Sequence, residues 1–528
     1  MKRRDFLKMS TMATLAYSIN GNPIHAYGED HLLSMIAKTR GNNDNILVLI
    51  QMSGGNDGLN TIIPLDKYSE LSNARANILI NQPDVLALSG QANTGMHPAM
   101  TGLQDIFNTG RMNIVQGVSY PNPNFSHFRS TDIMFSASDS NVDIDTGWIG
   151  RYLDFRFPGA PLNYPDPNIF LDPLAIQIGS SISSLFSGAN GLNGLAVSSI
   201  DNFYQIVSGT VDPAPATPAG HELTYIRFIA QQTQSYTQVL QNAASIQATN
   251  LAPYPANNNL ADQLKIVARL IGGGLKTPVY MVNIGGFDTH DNQVDFLDPT
   301  HKTGEHANIL TKLSEAIAAF QADITLMGKQ DKVTGCTVTE FGRRVKSNAS
   351  VGTDHGSGAP MMVFGTKVNP TVIGTSPNIP ANATVSDNVP MQHDFRQVFG
   401  TILVDWFDIA KADAEMILNG NQFQMLPIFK YAVGTDNTPL QNAQHALEQN
   451  FPNPFRSHTT IRFTTSGGMV QILLYDEMGR MLKVLYENEV PAGTFDVGVD
   501  RSALPAGIYY YQMHISNKTF TQKMVIVN

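Results

Sequence analysis

A single cysteine in 528 residues leaves no partner for an intrachain disulfide. Cys336 lies in the apolar run Val333 to Val338, where a small buried side chain is expected. Positive charge is also scarce: 34 Lys and Arg face 44 Asp and Glu, a formal net charge of −10. That balance argues against a general nucleic-acid binder. Anionic substrates stay open, because a metal or a few arginines can reverse the local field. Beyond the N-terminus no continuous apolar run reaches the roughly 18 residues that would suggest a membrane span, so the mature chain is expected to be soluble. No repeat of solenoid period is visible.

What the chain does have begins at its start. Lys2, Arg3, Arg4, Asp5, Phe6, Leu7 and Lys8 precede an apolar run from Met9 to Ile19. That run is shorter than the ~20 residues of a membrane span and suits the apolar region of an export signal. The paired arginines with Phe6 and Leu7 resemble a twin-arginine signal, which implies export of an already folded and often cofactor-loaded protein. Residues 1–28 are assigned to it, with cleavage near Ala26.

The 42% hydrophobic content suits well-packed globular units, and the length suggests more than one. Ile46 to Gln51 is a continuous apolar run, as in a strand buried on both faces of a parallel sheet. Similar runs occur at Met112 to Val118, Pro278 to Ile284, Val333 to Val338 and Met361 to Gly365. Helical patterns lie between them, at Leu223 to Ala248, Leu260 to Ile271, His306 to Met327 and Phe395 to Trp406. This alternation predicts an α/β domain over residues 40–433, with a doubly wound, mostly parallel sheet whose sites gather beyond the carboxyl ends of its strands.

From Gly434 the texture changes. Residues 434–449 read as a linker, and 450–528 carry short alternating runs, such as Thr460 to Phe463, Val470 to Tyr475 and Ile508 to His514, between Gly, Pro, Asp and Asn turns. A small antiparallel β-sandwich is predicted. The segments Asn450 to Phe455, Tyr475 to Gly479, Leu504 to Tyr509 and Lys523 to Asn528 resemble the C-terminal sorting domain of the type IX secretion system. That resemblance implies the secretion machinery as a partner, and passage through the periplasm to the surface or medium. An adhesive immunoglobulin-like sandwich is the alternative.

The chemistry-bearing residues stand at the predicted strand ends. Phe287 to His290 (FDTH) follows the run Pro278 to Ile284, and Thr353 to Gly356 (TDHG) precedes Met361. Carboxylate and imidazole delivered together suit a divalent cation. In extended backbone Asp288 and His290 share one side, a bite for one ion, whereas Asp354 and His355 face opposite ways and would serve two neighbouring ions. Asp57, after Gly54 and Gly55, is either a further ligand or ordinary Asn-Asp-Gly turn chemistry. Ser126 is either a helix N-cap or a nucleophile favoured by the helix end, with Arg129 one turn on to hold an anion. His306 reads as structural. Glu340 could bind metal or orient Arg343, and His127 reads as a loop histidine or as the acid for a leaving group.

The stretches Ser53 to Asn60, Asn122 to Ser130, Gly147 to Asp154, Gly285 to Gln293, Glu340 to Val345, Gly352 to Gly356 and His393 to Phe399 together resemble the exported family called domain of unknown function fifteen-oh-one. That family is similar to the alkaline phosphatase and sulfatase superfamily, which implies metal-assisted hydrolysis of phosphate or sulfate esters. The superfamily order implies Ser126 as nucleophile, with Asp57, Asp288, His290, Asp354, His355 and His393 holding two divalent ions. These would be zinc, with manganese or calcium as alternatives, and Arg129 or Arg344 would hold the anion. Two departures stand out: His290 follows Asp288 by two positions where phosphatases use four, and His393 adjoins Asp394, so that either could be ligand or helix cap. Neither Cys336 nor Ser126 has the x-Pro-x-Arg context of a formylglycine sulfatase. A non-catalytic surface protein that keeps a phosphatase-like fold is the rival reading.

Overall fold

The computed structural model describes residues 43–166, 170–199, 236–430, 449–450, 452–476, 480–501, 504–515 and 518–527, with the backbone of 17–19, 22–24 and 445–447. The twin-arginine-like segment, the expected cleavage point, residues 223–235 of the first helical pattern and residues 434–444 of the expected linker lie outside them. The chain divides into two compact units, Met1–Tyr431 and Ala432–Asn528.

The first unit is built on a nine-stranded sheet. In chain order its strands are β1 (Ile46–Ser53), β2 (Met112–Ser119), β3 (Ala175–Ile178), β4 (Leu195–Val197), β5 (Val279–Gly285), β6 (Val333–Val338), β7 (Ala359–Phe364), β8 (Val372–Ile373) and β9 (His393–Asp394). Across the sheet they run β4-β3-β5-β1-β6-β7-β2-β8, with β9 beside β2. Every pairing is parallel except those of β7, which is antiparallel to both β6 and β2. The doubly wound, mostly parallel α/β class read from the sequence is therefore the observed one.

The continuous apolar runs have a direct cause. Along β1, Ile46, Val48, Ile50 and Met52 join the core on one face, while Leu47 and Leu49 join the core on the other. The first face is covered by α2 (Thr101–Asn108), α5 (Asn259–Gly272) and α6 (Glu305–Leu326), through Leu103, Leu264, Leu310 and Phe320 among others. The second is covered by α3 (His127–Ser136), α4 (Trp148–Arg156) and α7 (Phe395–Thr401), through Ile133, Trp148, Tyr152 and Phe399. Each such aliphatic or aromatic side chain removed from water contributes about 1.5–3 kcal/mol before chain entropy is counted.

The helical pattern expected to run from Phe395 to Trp406 changes character midway. After Thr401 the chain widens into a π-turn, Ile402–Trp406. That turn sets the Trp406 indole against the start of β1, where its N–H donates to the Ile46 carbonyl at 3.2 Å.

Register positions the site. Gly285 of β5 lies beside Ser53 of β1, and Val338 of β6 beside Gln51, so these three strands end nearly level. The loops after them, Gly54 to Asp57, Gly286 to His290 and Thr339 to Arg344, leave from one edge. Because β7 runs the other way, the TDHG segment reaches that same edge just before β7 begins.

The second unit is all-β and antiparallel: β10 (His445–Leu447), β11 (His458–Asp476), β12 (Met481–Asp500), β13 (Gly507–Ile515) and β14 (Lys518–Ile526). The 19 residues of β11 pair with β12 along nearly their whole length, with β10 near the start and with β13 near the end. That long hairpin shares one core with the last two strands, which includes Phe463, Ile472 and Val497 from the hairpin, Met513 from β13 and Ile526 from β14. Among the described residues, no helix is long and apolar enough to cross a membrane.

Candidate metal centre

Close approach of backbones brings the loops together. Gly54 has φ +122°, and a Cβ there would stand 2.3 Å from the Asp288 nitrogen, so only glycine lets the β1 loop press on the FDTH loop. A Cβ on Gly352 would stand 2.3 Å from the His290 carbonyl oxygen, which explains the glycine before TDHG.

Arg343, 1% exposed, fastens these loops from below. Its guanidinium donates to the carbonyls of Gly54, Gly55 (2.7 Å), Phe287 (3.1 Å) and Thr353 (2.8 Å), and to Asp288 Oδ1 at 2.6 Å. A planar fork of fixed donors suits this task as a flexible ammonium would not. Partial burial alone would raise the Asp288 carboxyl, but the hydrogen bond and the positive charge of Arg343 outweigh it and hold the group well below the usual carboxylate range.

Three imidazoles gather at that carboxylate. His355 Nε2 is 3.1 Å and His290 Nε2 3.2 Å from Asp288 Oδ1, and the two nitrogens are 2.9 Å from each other. His127 Nε2 is buried, has no hydrogen-bond partner, and lies 3.5 Å from Asp288 Oδ2. Each ring has its other nitrogen on an acceptor: His355 Nδ1 on the Phe125 carbonyl (2.8 Å), His290 Nδ1 on Asp354 Oδ1 (3.1 Å) and His127 Nδ1 on Glu340 Oε1 (2.8 Å). Carbonyls and carboxylates only accept, so the Nδ1 atoms carry the protons and the Nε2 lone pairs face inward. Phe341 packs against the His127 and His355 rings, with centroids at 4.9 and 4.6 Å. The Asp288 and His290 side chains are nearly half exposed, so the cluster is open to solvent.

Lone pairs at such distances repel unless a cation or a shared proton lies among them. Tetrahedral ligands about 2.0–2.1 Å from zinc lie roughly 3.3 Å apart, so the donor atoms present fit a divalent ion. His127, Asp288 and His355 alone offer three ligand atoms within 4.8 Å of one another.

Beneath the cluster lies a buried polar network. Asp57, 1% exposed, accepts from Arg75 Nη1 through both oxygens (2.9 and 2.8 Å) and from Gln293 Nε2 at 2.6 Å. Burial would raise its pKa, but Arg75, His306 and Gln293 lower it overall. Gln293 Oε1 in turn accepts from the hydroxyls of Thr289 (3.1 Å) and Thr353 (2.7 Å).

The remaining expected residues are distributed around this core. Ser126 is the exposed N-cap of α3, without a side-chain cap bond, between Phe125, whose carbonyl holds His355, and His127. Arg129 is engaged with Asp143 (2.5 Å) and with the Ser140 and Val142 carbonyls. Arg344 lies over the Phe125 ring at 4.9 Å. His393 stands on β9 beside Val118, its Nε2 buried without a partner. Asp394 is the N-cap of α7, in a capping box with Gln397 and an ion pair with Arg396 (2.7 Å). Asp288, His290, Asp354 and His355 are thus brought together, while Asp57 and His393 are engaged or placed elsewhere. The sequence left Glu340 as a metal ligand or a partner for Arg343, and His127 as a loop histidine or a proton donor; their pairing at 2.8 Å was not foreseen. Their signal was positional: each is the first acidic or imidazole side chain after a strand that ends at the crowded edge.

An α/β sheet with an imidazole and carboxylate cluster beyond its carboxyl edge, joined to an all-β unit, is the class of protein that fold and site define. Residues 216–412, which hold FDTH, TDHG and His393, match the family described as "Protein of unknown function (DUF1501)". Residues 449–527 match the "Secretion system C-terminal sorting domain", which marks the chain for export to the medium or the cell surface. No curated protein matches. Similar solved structures include a protein of the alkaline phosphatase superfamily from Vibrio parahaemolyticus (10% identity, 85% of this chain and 83% of that one, TM-score 0.34). A sulfatase from Pseudoalteromonas sp. is also similar (8%, 92% and 91%, 0.30), as is a phosphonate monoester hydrolase from Silicibacter pomeroyi (10%, 83% and 90%, 0.25). At these scores the likenesses carry no weight for chemistry, which rests on the residues themselves.

Proposed function

We propose that the chain is an exported metal-dependent hydrolase of phosphate or sulfate esters, its cation held where the FDTH and TDHG loops meet. The observation that carries this reading is the mutual approach of Asp288 Oδ1, His290 Nε2 and His355 Nε2 at 2.9–3.2 Å, with both Nδ1 protons committed to acceptors. A divalent ion there supplies Lewis acidity toward an ester oxygen. Arg343 fixes the carboxylate, Asp354 and the Phe125 carbonyl orient the rings, and the open face admits the ester. Ser126 is the candidate nucleophile, since the first-turn N–H groups of α3 favour negative charge developing on its oxygen. The N-terminal segment would take the folded, loaded protein through the periplasm by the twin-arginine route, before the sorting domain acts.

A non-catalytic binding protein that keeps the ion is the second reading, favoured by the engagement of Arg129 with Asp143. Metal analysis of the purified chain, followed by turnover of a panel of phosphate and sulfate esters before and after chelation, separates the two. Bound metal with chelator-sensitive turnover supports the hydrolase. Bound metal with no turnover of any ester supports the binding protein.

A further inference from the structure

We propose that His127 is a ligand in its own right, positioned by Glu340, and that the centre holds one zinc-like ion through three imidazoles and Asp288. This rests on the metal reading above and replaces the pair of ions expected from the superfamily order.

Glu340 is 4% exposed and rigidly held. Its Oε1 accepts from the Gly54 N–H at 2.8 Å as well as from His127 Nδ1 at 2.8 Å. The carboxylate therefore fixes the proton on Nδ1 and leaves Nε2 as a bare lone pair, buried and without a partner, 3.5 Å from the aspartate whose other oxygen faces His290 and His355. Carboxylate-to-imidazole pairs of this kind set the tautomer and raise the basicity of metal-binding histidines. The His127 ring also meets the His355 ring edge to face at 4.4 Å, so the two are held together by packing on Phe341.

Three nitrogens and one oxygen favour zinc or cobalt over calcium or magnesium, which take oxygen ligands. Supply of further ligands argues for one ion. Glu340 and Asp354 are already acceptors for imidazole N–H groups, and Asp57 is paired with Arg75. Among the described residues, no three His, Cys, Asp or Glu donors apart from His127, Asp288, His290 and His355 come within 4.8 Å of one another.

The test uses the full chain, stripped with chelator and titrated with Zn2+, and with Co2+ to report ligand geometry through its visible bands. The expected result is one equivalent of Zn2+ per chain, with the cobalt spectrum of a four-coordinate site. In His127→Ala the zinc affinity should fall at least 100-fold and the cobalt bands should change. In Glu340→Gln the ring loses its anionic acceptor, and affinity should fall about 10- to 100-fold with the bands retained. Melting of the stripped variants controls for folding, and His290→Ala serves as a reference for loss of an established-distance ligand. Two equivalents of Zn2+, or an unchanged affinity and cobalt spectrum in His127→Ala, would overturn the proposal while leaving a metal-dependent hydrolase intact. One equivalent lost in His127→Ala, with no ester turned over by the wild type, would uphold the proposal and sink the hydrolase instead.

Discussion

Gln293 and Asp57 meet at 2.6 Å in a place with no exposed surface, and that single bond decides which way the Gln293 amide points. With its nitrogen on the carboxylate, its oxygen must face Thr289 and Thr353. These are the residues next to His290 and next to Asp354. The glutamine therefore locks the two ligand-bearing loops to each other without touching the cluster.

Replacing Gln293 by Ala should weaken zinc binding roughly 10- to 100-fold, in the range seen for outer supports of metal ligands. Competition with a chromophoric chelator measures it. Unchanged affinity would show that the loops hold their places without this clamp.

Asp57→Ala should act mainly on stability. It strands Arg75, which is fully buried, without its carboxylate partner, and breaking a buried pair from one side costs about 3–5 kcal/mol. Chemical denaturation of the metal-free chain checks this. A variant that loses metal with stability intact would instead place Asp57 among the ligands.

Arg343→Lys keeps the charge but cannot serve the carbonyls of the β1, FDTH and TDHG loops at once. Each lost hydrogen bond to this charged group is worth about 1.5–3 kcal/mol. Lower melting temperature and weaker Zn2+ uptake are expected together, measured by calorimetry and titration. Loss of one without the other would separate the fastening of the loops from the holding of Asp288.

Acid should destabilise the stripped chain through a pair of buried histidines. Burial lowers His306 to about 4 and His97 to about 3, and their rings meet edge to face at 5.9 Å. Both are neutral in the fold, while the unfolded chain takes up protons near pH 6.5, so it binds more protons below that value. Their contribution is complete above about pH 6.5 and is lost as pH falls toward 4. For His306 the loss is on the order of 3 kcal/mol. Melting curves across this range, compared with His306→Gln, isolate it from the ligand histidines, because glutamine can still donate to Asn56. An equal pH slope in both proteins would exclude His306 as the cause.

The fold was legible where burial on both faces leaves a continuous apolar run: the strand and helix patterns at Val333 to Val338, Leu260 to Ile271 and His306 to Met327 match observed elements closely. FDTH and TDHG were visible because Asp and His stand beside such runs. His127 was not, because nothing in NPNFSHF reveals that Glu340, more than two hundred residues later, supplies its acceptor. Nor could spacing reveal that Asp57 would be claimed by Arg75, a pairing made by the fold of the β1 loop onto α1 (Tyr68–Arg75). Linear order conveys which residues reach the crowded edge. It does not convey which of them are spent on one another.

The reversed direction of β7 has a consequence for how such a centre is inherited. Because the chain departs at the end of β6 and re-enters at the start of β7 on the same side, one short excursion, residues 339–358, carries Glu340, Arg343, Asp354 and His355. A ligand, its fastening arginine and two proton-fixing carboxylates travel as one cassette. Recombination at two neighbouring strand boundaries would exchange half the chemistry in a single event while leaving the parallel strands untouched.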